Sequence, residues 1–126
     1  MYDKNQIDNP TIMKIKEIAK LLDGRILGCQ DNFEMEFHKA FSSDLMSDVL
    51  KVSFDDTLLI TGLCNNQTMR TADMADVSVV IIGRDKRADE EMLELAEDSG
   101  ITIIESPYSL FKISGILFSV GIMPLY

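Results

Sequence analysis

From residue 57 to the end of the chain, short apolar runs alternate with longer segments whose apolar residues recur at helical spacing. The runs are rich in Val, Ile and Leu, as expected of strands that are covered by helices on both faces. Strands are predicted at 57–62, 77–82 and 101–105, and helices at 66–75, 89–99 and 108–119. Strands that alternate with helices favour parallel βαβ units. The predicted fold class is therefore α/β, with a parallel or mostly parallel sheet and helices on both faces.

The first half of the chain has a less regular pattern. The predicted elements there are a helix at 12–22, a strand at 25–28, a strand at 33–41 and a helix at 44–52. The second strand is expected to be half-buried and near an edge of the sheet, because its side chains alternate between apolar and polar. Its apolar side is formed by Phe33, Met35, Phe37 and Phe41. Ser43 is predicted to cap the second helix, with Asp44 against the positive helix N-terminus.

Length and charge narrow the function classes. With 126 residues, of which 46% are hydrophobic, the chain is expected to form one domain over 13–126, preceded by a flexible extension at 1–12. The net charge of −9 disfavours nucleic acid and anionic membranes as partners, because both are negatively charged. The two cysteines form no Cys-x-x-Cys pair, and no signal peptide is evident. These features indicate free thiols and a cytoplasmic location.

Three loops are expected at the carboxyl edge of the predicted sheet, where parallel sheets bind ligands. Asn65 is a natural N-cap, so the first backbone N–H groups of the following helix should point out of the first loop. Arg70 lies one turn further on and leans toward the same place. The second loop contains the densest basic cluster of an acidic chain, Arg84, Lys86 and Arg87. An anionic small ligand, such as a nucleotide or phosphate, is therefore predicted. The predicted binding residues are Gly62, Asn65, Asn66, Gln67, Arg70, Thr71, Gly83 and Arg84.

A simpler interpretation of the same residues stays open. In it, Asn65 only caps its helix, Arg70 pairs with Asp73, and the loop after Gly83 is a solvated turn. Cys64 likewise has two interpretations. Its pKa is lowered if the loop at the helix start is electropositive; otherwise it is a plain buried thiol.

No catalytic constellation is evident. The sequence lacks the G-x-x-x-x-G-K-[ST] motif of nucleotide phosphatases and kinases, and it lacks a serine nucleophile elbow. His38 is the single histidine and has no second His or Cys close to it in the sequence. We therefore expect no metal, no cofactor and no enzymatic activity.

Four segments give the chain a resemblance to the short stand-alone DRTGG-domain proteins. They are 13–19, 43–50, 61–72 and 104–108. The second reads Ser-Asp-Leu-Met-Ser-Asp-Val-Leu, and the third runs from Thr-Gly-Leu through Asn-Gln to Arg-Thr-Ala. The pentapeptide that names the family is missing, and residues 63–67 occupy its place. The resemblance implies a fold like the N-terminal domain of bacterial HPr kinase/phosphorylase.

The resemblance also implies a role without catalysis. DRTGG domains occur beside CBS domains in regulated pyrophosphatases, and stand-alone members are associated with hydrogenase and electron-transfer genes in anaerobic bacteria. We therefore predict a regulatory or sensing module that binds an anionic ligand. The alternative is a protein-interaction subunit of a hydrogenase or another redox enzyme, with no small ligand. A homodimer is predicted because residues 108–126 hold more apolar side chains than one helix face requires. The alternative is a tail that folds back over its own sheet.

Overall fold

The computed structural model describes residues 11–126. In chain order its elements are α1 (Ile15–Leu21), β1 (Arg25–Gly28), β2 (Lys39–Ser42), α2 (Met46–Val49), β3 (Thr57–Thr61), α3 (Asn66–Met74), β4 (Val79–Ile82), α4 (Glu90–Ser99), β5 (Thr102–Glu105), α5 (Leu110–Ser119) and β6 (Met123–Pro124). The strands form one sheet in the order β1-β5-β4-β3-β2-β6. β1 is antiparallel to β5, and the other neighbouring strands are parallel. The predicted α/β class with a mostly parallel sheet is confirmed.

Helices cover both faces of the sheet because the chain changes direction after β5. The steps from β2 to β3, β4 and β5 run one way across the sheet, and α2, α3 and α4 pack together on one face. The chain then returns across the sheet to β6, and α5 packs with α1 on the other face. The side chains of successive strand residues point alternately into the two hydrophobic cores, one on each face of the sheet. Leu58 and Ile60 belong to the core under α1 and α5, whereas Leu59 belongs to the core under α2, α3 and α4.

The elements predicted in the second half lie within two residues of their predicted bounds, whereas the short strand β6 was not predicted. Their ends are set by local chemistry. Asn65 caps α3 by accepting a hydrogen bond from Thr68 N at 3.0 Å. Gly100 ends α4 in the left-handed conformation at φ 73°, which a glycine adopts without strain.

The strand predicted at 33–41 is wrong over most of its length. Only Lys39–Ser42 pairs in the sheet, and Phe37 makes a single antiparallel bridge to Met13. Phe33 and Phe37 pack in the core under α1 and α5, but Phe41 packs on the opposite face against Phe54, with ring centroids 6.0 Å apart. The alternation of apolar residues therefore reflected burial of a connecting loop on one face and not a continuous strand.

The reason for this irregular segment lies at the amino edge of the sheet. Asn32 Nδ2 donates to Ser78 O at 3.1 Å, to Gly100 O at 2.8 Å and to Thr102 Oγ1 at 3.2 Å. These acceptors lie just before, or at the start of, β4 and β5. The Asn32 side chain thereby fixes the loop from β1 to β2 to the amino edge of the sheet.

Two predicted helices are shorter than expected. α2 covers Met46–Val49 instead of 44–52, and its N-cap residue, Leu45, has no side-chain cap. Ser43 Oγ accepts from Leu45 N at 3.0 Å, so Ser43 forms a local turn before the helix. α1 begins at Ile15 rather than at residue 12. The Thr11 backbone N–H donates to Gly121 O at 3.1 Å, which joins it to the end of the chain. Residues 1–10 of the predicted extension lie outside the described residues.

Candidate functional site

The carboxyl ends of β2, β3, β4 and β5 meet at one edge of the sheet. The loops after β3 and β4 lead to α3 and α4 on one face, whereas the loop after β5 leads to α5 on the other face. Ligand sites in open sheets form where neighbouring connections diverge in this way. The three loops that the sequence placed together therefore do share one edge.

An acidic side chain, Asp44, closes the end of β3. Its Oδ1 atom accepts hydrogen bonds from Thr61 Oγ1 at 2.9 Å and from Gly62 N at 2.7 Å. Thr61 is fully buried, and its Oγ1 accepts from Leu63 N at 3.1 Å. Gly62 is one of the predicted binding residues, and its N–H thus already donates a hydrogen bond to a carboxylate oxygen. Asp44 does not lie against the α2 N-terminus as the sequence suggested.

Arg84 lies over the end of β3 from the neighbouring loop. Arg84 and Asp85 have φ angles of 67° and 59°, a conformation that costs a residue other than glycine about 1–3 kcal/mol. Two backbone hydrogen bonds hold this left-handed turn. Arg84 N donates to Tyr108 O at 2.8 Å, and Asp85 N donates to Ser106 O at 3.1 Å. A methyl group at Gly62 would lie 2.8 Å from Arg84 Cδ and 3.4 Å from a guanidinium nitrogen. Gly62 therefore leaves room for Arg84, which makes no ion pair within residues 11–126.

The start of α3 faces the same edge. Asn65 caps the helix, and Thr68 Oγ1 donates to Leu63 O at 2.7 Å, which fixes the loop. The first backbone N–H groups of a helix have no partner within it, so those of Asn66 and Gln67 face the loop side. Asn66 Oδ1 is buried and has no donor among the described residues. This part of the edge offers both hydrogen-bond donors and one unpaired acceptor.

The loop after β4 is mostly neutralised by its own carboxylates. Glu105, which is 4% exposed, accepts from Ala88 N at 2.6 Å and from Arg87 at 3.3 Å. Arg87 also lies 3.7 Å from Asp85. Of the predicted basic cluster in this loop, only Arg84 and Lys86 make no ion pair with another described residue. The cationic part of the edge is therefore smaller than the sequence indicated.

The environment of Cys64 is acidic. Burial raises the pKa of the Cys64 thiol above its usual value, and the carboxylates of Glu105 and Asp89 raise this pKa further. The thiol lies 3.8 Å from Met92 Sδ. Of the two interpretations of this residue, the thiol with a lowered pKa is wrong, and the plain, partly buried thiol is correct.

Three of the predicted binding residues do not present a side chain to the edge loops. Gly83 directly precedes Arg84 but is buried under α5, where a methyl group would come within 2.9 Å of Ile113 Cδ1. Thr71 lies on the buried side of α3. Arg70 is exposed, and within residues 11–126 it makes neither an ion pair with Asp73 nor a side-chain hydrogen bond to the loops.

Three residues that shape this edge were not among the predicted binding residues: Asp44, Thr61 and Glu105. A carboxylate at the last position of an otherwise apolar buried strand was the available signal for Glu105. No local signal pairs Asp44 with Gly62, because these residues are 18 positions apart.

Within residues 11–126 no three His, Cys, Asp or Glu side chains are grouped so that they could hold a metal ion. His38 lies away from this edge, just before the first residue of β2. Its N–H donates to Asp56 O at 3.2 Å, and its carbonyl accepts from Met123 N at 2.8 Å. No helix in the described part of the chain is long and apolar enough to cross a membrane.

The fold and the edge define a class: a small α/β domain with a mixed sheet, in which carboxyl-edge loops surround an arginine without an ion pair among the described residues. The family model of the DRTGG domain matches residues 17–120. The chain therefore belongs to the DRTGG family. A search of curated proteins gave no significant match.

A solved structure shares the fold. It is the crystal structure of the CBS and DRTGG domains of the regulatory region of Clostridium perfringens pyrophosphatase, complexed with the activator diadenosine tetraphosphate. The TM-score is 0.73 at 20% sequence identity, and the match covers 99% of this chain and 53% of that one. The chain therefore spans about half the length of this neighbour.

Proposed function

We propose that this protein is a regulatory module, without catalytic activity, that binds an anionic small ligand at the carboxyl edge of its sheet. The ligand class is a nucleotide or another phosphate compound. The observation that carries the proposal is the position of Arg84. A left-handed backbone turn, held by carbonyls of the next loop, places its guanidinium over Gly62 with no ion pair within residues 11–126.

The charge balance of the chain adds weight to this position. With 21 acidic and 12 basic residues, the chain repels anions over most of its surface, so a basic side chain at the edge marks a place where an anion can approach. An arginine held over a strand end, beside the first N–H groups of α3, supplies donors and positive charge together. Lys86 adds a second cation to the same loops. The neighbour in pyrophosphatase supports the ligand class, because its regulatory region was crystallised with a nucleotide activator.

A thermal-shift screen with nucleotides and pyrophosphate tests the proposal. A ligand present at 100 times its Kd stabilises the native state by about 2.7 kcal/mol. We expect at least one phosphate compound to raise the Tm of the protein, and Arg84→Ala to abolish this rise. Lys20→Ala is the matched control, because Lys20 is an exposed cation in the last turn of α1. A Tm that no phosphate compound raises, or a rise that Arg84→Ala leaves intact, contradicts the proposal.

The absence of catalysis is testable on the same samples. The edge combines an arginine, a carboxylate and backbone N–H groups, but no metal cluster among residues 11–126. We expect no phosphate release from ATP or pyrophosphate by the pure protein. Release that Arg84→Ala removes would show an enzyme instead.

A second candidate function, protein interaction, is favoured by the outer face of α5. Phe111, Gly115 and Phe118 lie on one stripe of this helix, and Phe111 and Phe118 are 90% and 37% exposed. A side chain at Gly115 would meet no atom within 4 Å. Tyr126, which is 87% exposed, continues the apolar surface. We call this surface, formed by these four residues, the α5 face.

We propose that the α5 face joins two copies of the chain. α5 contains no acidic residue and one basic residue, so two chains of charge −9 would approach there with little repulsion. A two-fold pair is the commonest way to cover such a face. Light scattering should give a dimer for the native protein and a monomer for Phe111→Glu. Met74→Glu, at an exposed methionine of α3, is the control and should remain dimeric.

A redox-enzyme partner, as the resemblance implies, is the alternative occupant of the α5 face. A monomeric native protein would favour that partner over the homodimer.

A further inference from the structure

The edge that we propose as an anion site already contains an anion of its own. One carboxylate oxygen, Asp44 Oδ1, receives both the Thr61 hydroxyl at 2.9 Å and the Gly62 N–H at 2.7 Å. A negatively charged acceptor makes stronger hydrogen bonds than a neutral one. Asp44 thus occupies the place that an anionic ligand oxygen would take at the end of β3.

Both donors lie at the end of β3, and neither belongs to the segment that carries Asp44. Thr61 lies in β3 and is fully buried. Its oxygen accepts from Leu63 N at 3.1 Å, so its proton is directed toward Asp44. The Gly62 N–H follows directly after the last residue of the same strand. Both donors require an acceptor, because an unpaired buried donor costs about 1–3 kcal/mol.

Arg84 reaches the same small volume. The position of a methyl group at Gly62 would lie 3.4 Å from an Arg84 guanidinium nitrogen and 3.6 Å from Asp44 Oδ1. The hydroxyl and the backbone N–H therefore meet at one oxygen position, and the guanidinium lies on the other side of Gly62, within reach of a further oxygen of the same phosphoryl group. No ion pair joins Arg84 to Asp44 in the described structure. The guanidinium thus keeps its charge available to a second anion.

Asp44 belongs to a short segment that has few buried anchors. Asp44 is an exposed residue, and the helix that follows it, α2, has four residues and no side-chain cap. Leu45 and Leu50, which flank α2, are 58% and 48% exposed. The segment is anchored by Met46 and Val49, which are buried. A rotation of the Asp44 side chain into solvent therefore breaks two hydrogen bonds without removing these anchors.

We infer that Thr61 Oγ1, Gly62 N and Arg84 form the subsite for a phosphoryl group of the ligand, and that Asp44 is its internal competitor. This inference rests on the proposed function, and it adds both the atoms of the subsite and a means of regulation. When a phosphoryl oxygen enters, Asp44 leaves, and the segment 43–49 changes its contacts with β3. Ligand binding would in this way be reported at the surface of the protein.

The test uses pyrophosphate as the probe and isothermal titration calorimetry as the assay. Asp44→Asn keeps the size of the side chain and removes the charge that opposes the ligand. Because like charges placed together are strongly unfavourable, we expect about a tenfold gain in affinity for pyrophosphate. Asp48→Asn is the matched control. This variant makes the same change of charge four residues away, where the carboxylate of Asp48 has Lys51, at 3.8 Å, as its one ion-pair partner among the described residues. The affinity of Asp48→Asn for pyrophosphate should stay within about twofold of the native value.

The outcomes separate this inference from the proposed function. Native protein that binds pyrophosphate, with an affinity that Asp44→Asn leaves equal or lowers, overturns the competitor role and leaves the anion site standing. Absence of binding by both native protein and Asp44→Asn overturns the anion site itself. Binding by Asp44→Asn alone supports the competitor role, because the internal carboxylate then blocks the native site.

A second measurement on the native chain does not depend on the folding of any variant. In amide NMR spectra, pyrophosphate should shift the signals of Gly62 and of residues 43–49 together. A shift at Gly62 with no shift in the segment 43–49 would show that Asp44 stays in place, and this result would overturn the inference.

Discussion

Replacing Gly83 by alanine tests how α5 is seated against the end of β4. Gly83 is buried, and a methyl group there would lie 2.9 Å from both Ile113 Cδ1 and Leu110 Cδ2, and 3.1 Å from Tyr108 O. The Tyr108 carbonyl has little freedom to move, since it accepts a hydrogen bond from Arg84 N at 2.8 Å. The added methyl group must therefore displace the ends of the Ile113 and Leu110 side chains, and it presses against a backbone oxygen that is held in place.

The expected cost follows from these contacts. Overpacking by one methyl group in a well-packed core destabilises a protein by about 1–3 kcal/mol. All three contacts of the new methyl group are too short, so we expect about 2 kcal/mol. For a domain of this size, 1 kcal/mol corresponds to about 3–5 °C in Tm. Gly83→Ala should also weaken ligand binding, because Arg84 follows directly in the chain.

Gly115→Ala is the matched control, with the opposite sign. Gly115 lies within α5, and a methyl group there would meet nothing within 4 Å. Alanine is better than glycine in a helix by about 0.5–1 kcal/mol, so this variant should be more stable than its parent. Both variants are best made in the Phe111→Glu background, so that association through the α5 face does not contribute.

Urea unfolding gives the required free energies of unfolding. A Gly83→Ala midpoint equal to that of its parent would refute the packing of α5 against β4. A loss of stability in Gly115→Ala would equally refute the view that Gly115 faces open space in one chain.

Three further predictions concern single side chains. Asn32→Ala removes the contacts that tie the β1–β2 loop to the amino edge and should cost about 2–3 kcal/mol in urea unfolding, whereas Gln30→Ala, at an exposed neighbour, should change stability by less than about 0.5 kcal/mol. The pKa of Cys64 is raised by burial, so its alkylation, followed by mass spectrometry, should accelerate with pH around a midpoint above that of free cysteine; a midpoint at or below it contradicts the acidic environment. The hydrogen bond from Lys14 at 2.9 Å lowers the pKa of Glu34. Any stability from this exposed pair is therefore present above the ordinary Glu pKa, and it is lost as the pH falls through the lowered pKa of the folded state. A carbon NMR titration of Glu34 should find a low midpoint, and Lys14→Ala should return this midpoint to its ordinary value.

The sequence alone determined the second half of the fold. β3, β4 and β5 are continuous apolar runs, and α3 and α4 are bounded by local signals, the Asn65 cap and the Gly100 end. Such signals act over a few residues, so they are readable before any tertiary contact is known. The position of the candidate edge followed from the same pattern, because parallel strands end on one side.

Only the tertiary structure decided the first half of the chain and the contents of the edge. The apolar residues between Phe33 and Phe41 bury a loop rather than a strand, since Asn32 fixes that loop to carbonyls 46 and 68 positions away. Asp44 accepts a hydrogen bond from Gly62, which is 18 positions away in the sequence, and Glu105 accepts one from Arg87 across the same separation. Periodicity states which side of an element is buried but not which element lies beside it. The partners of a charged side chain depend on the order of strands in the sheet, and that order is set by packing of the whole chain.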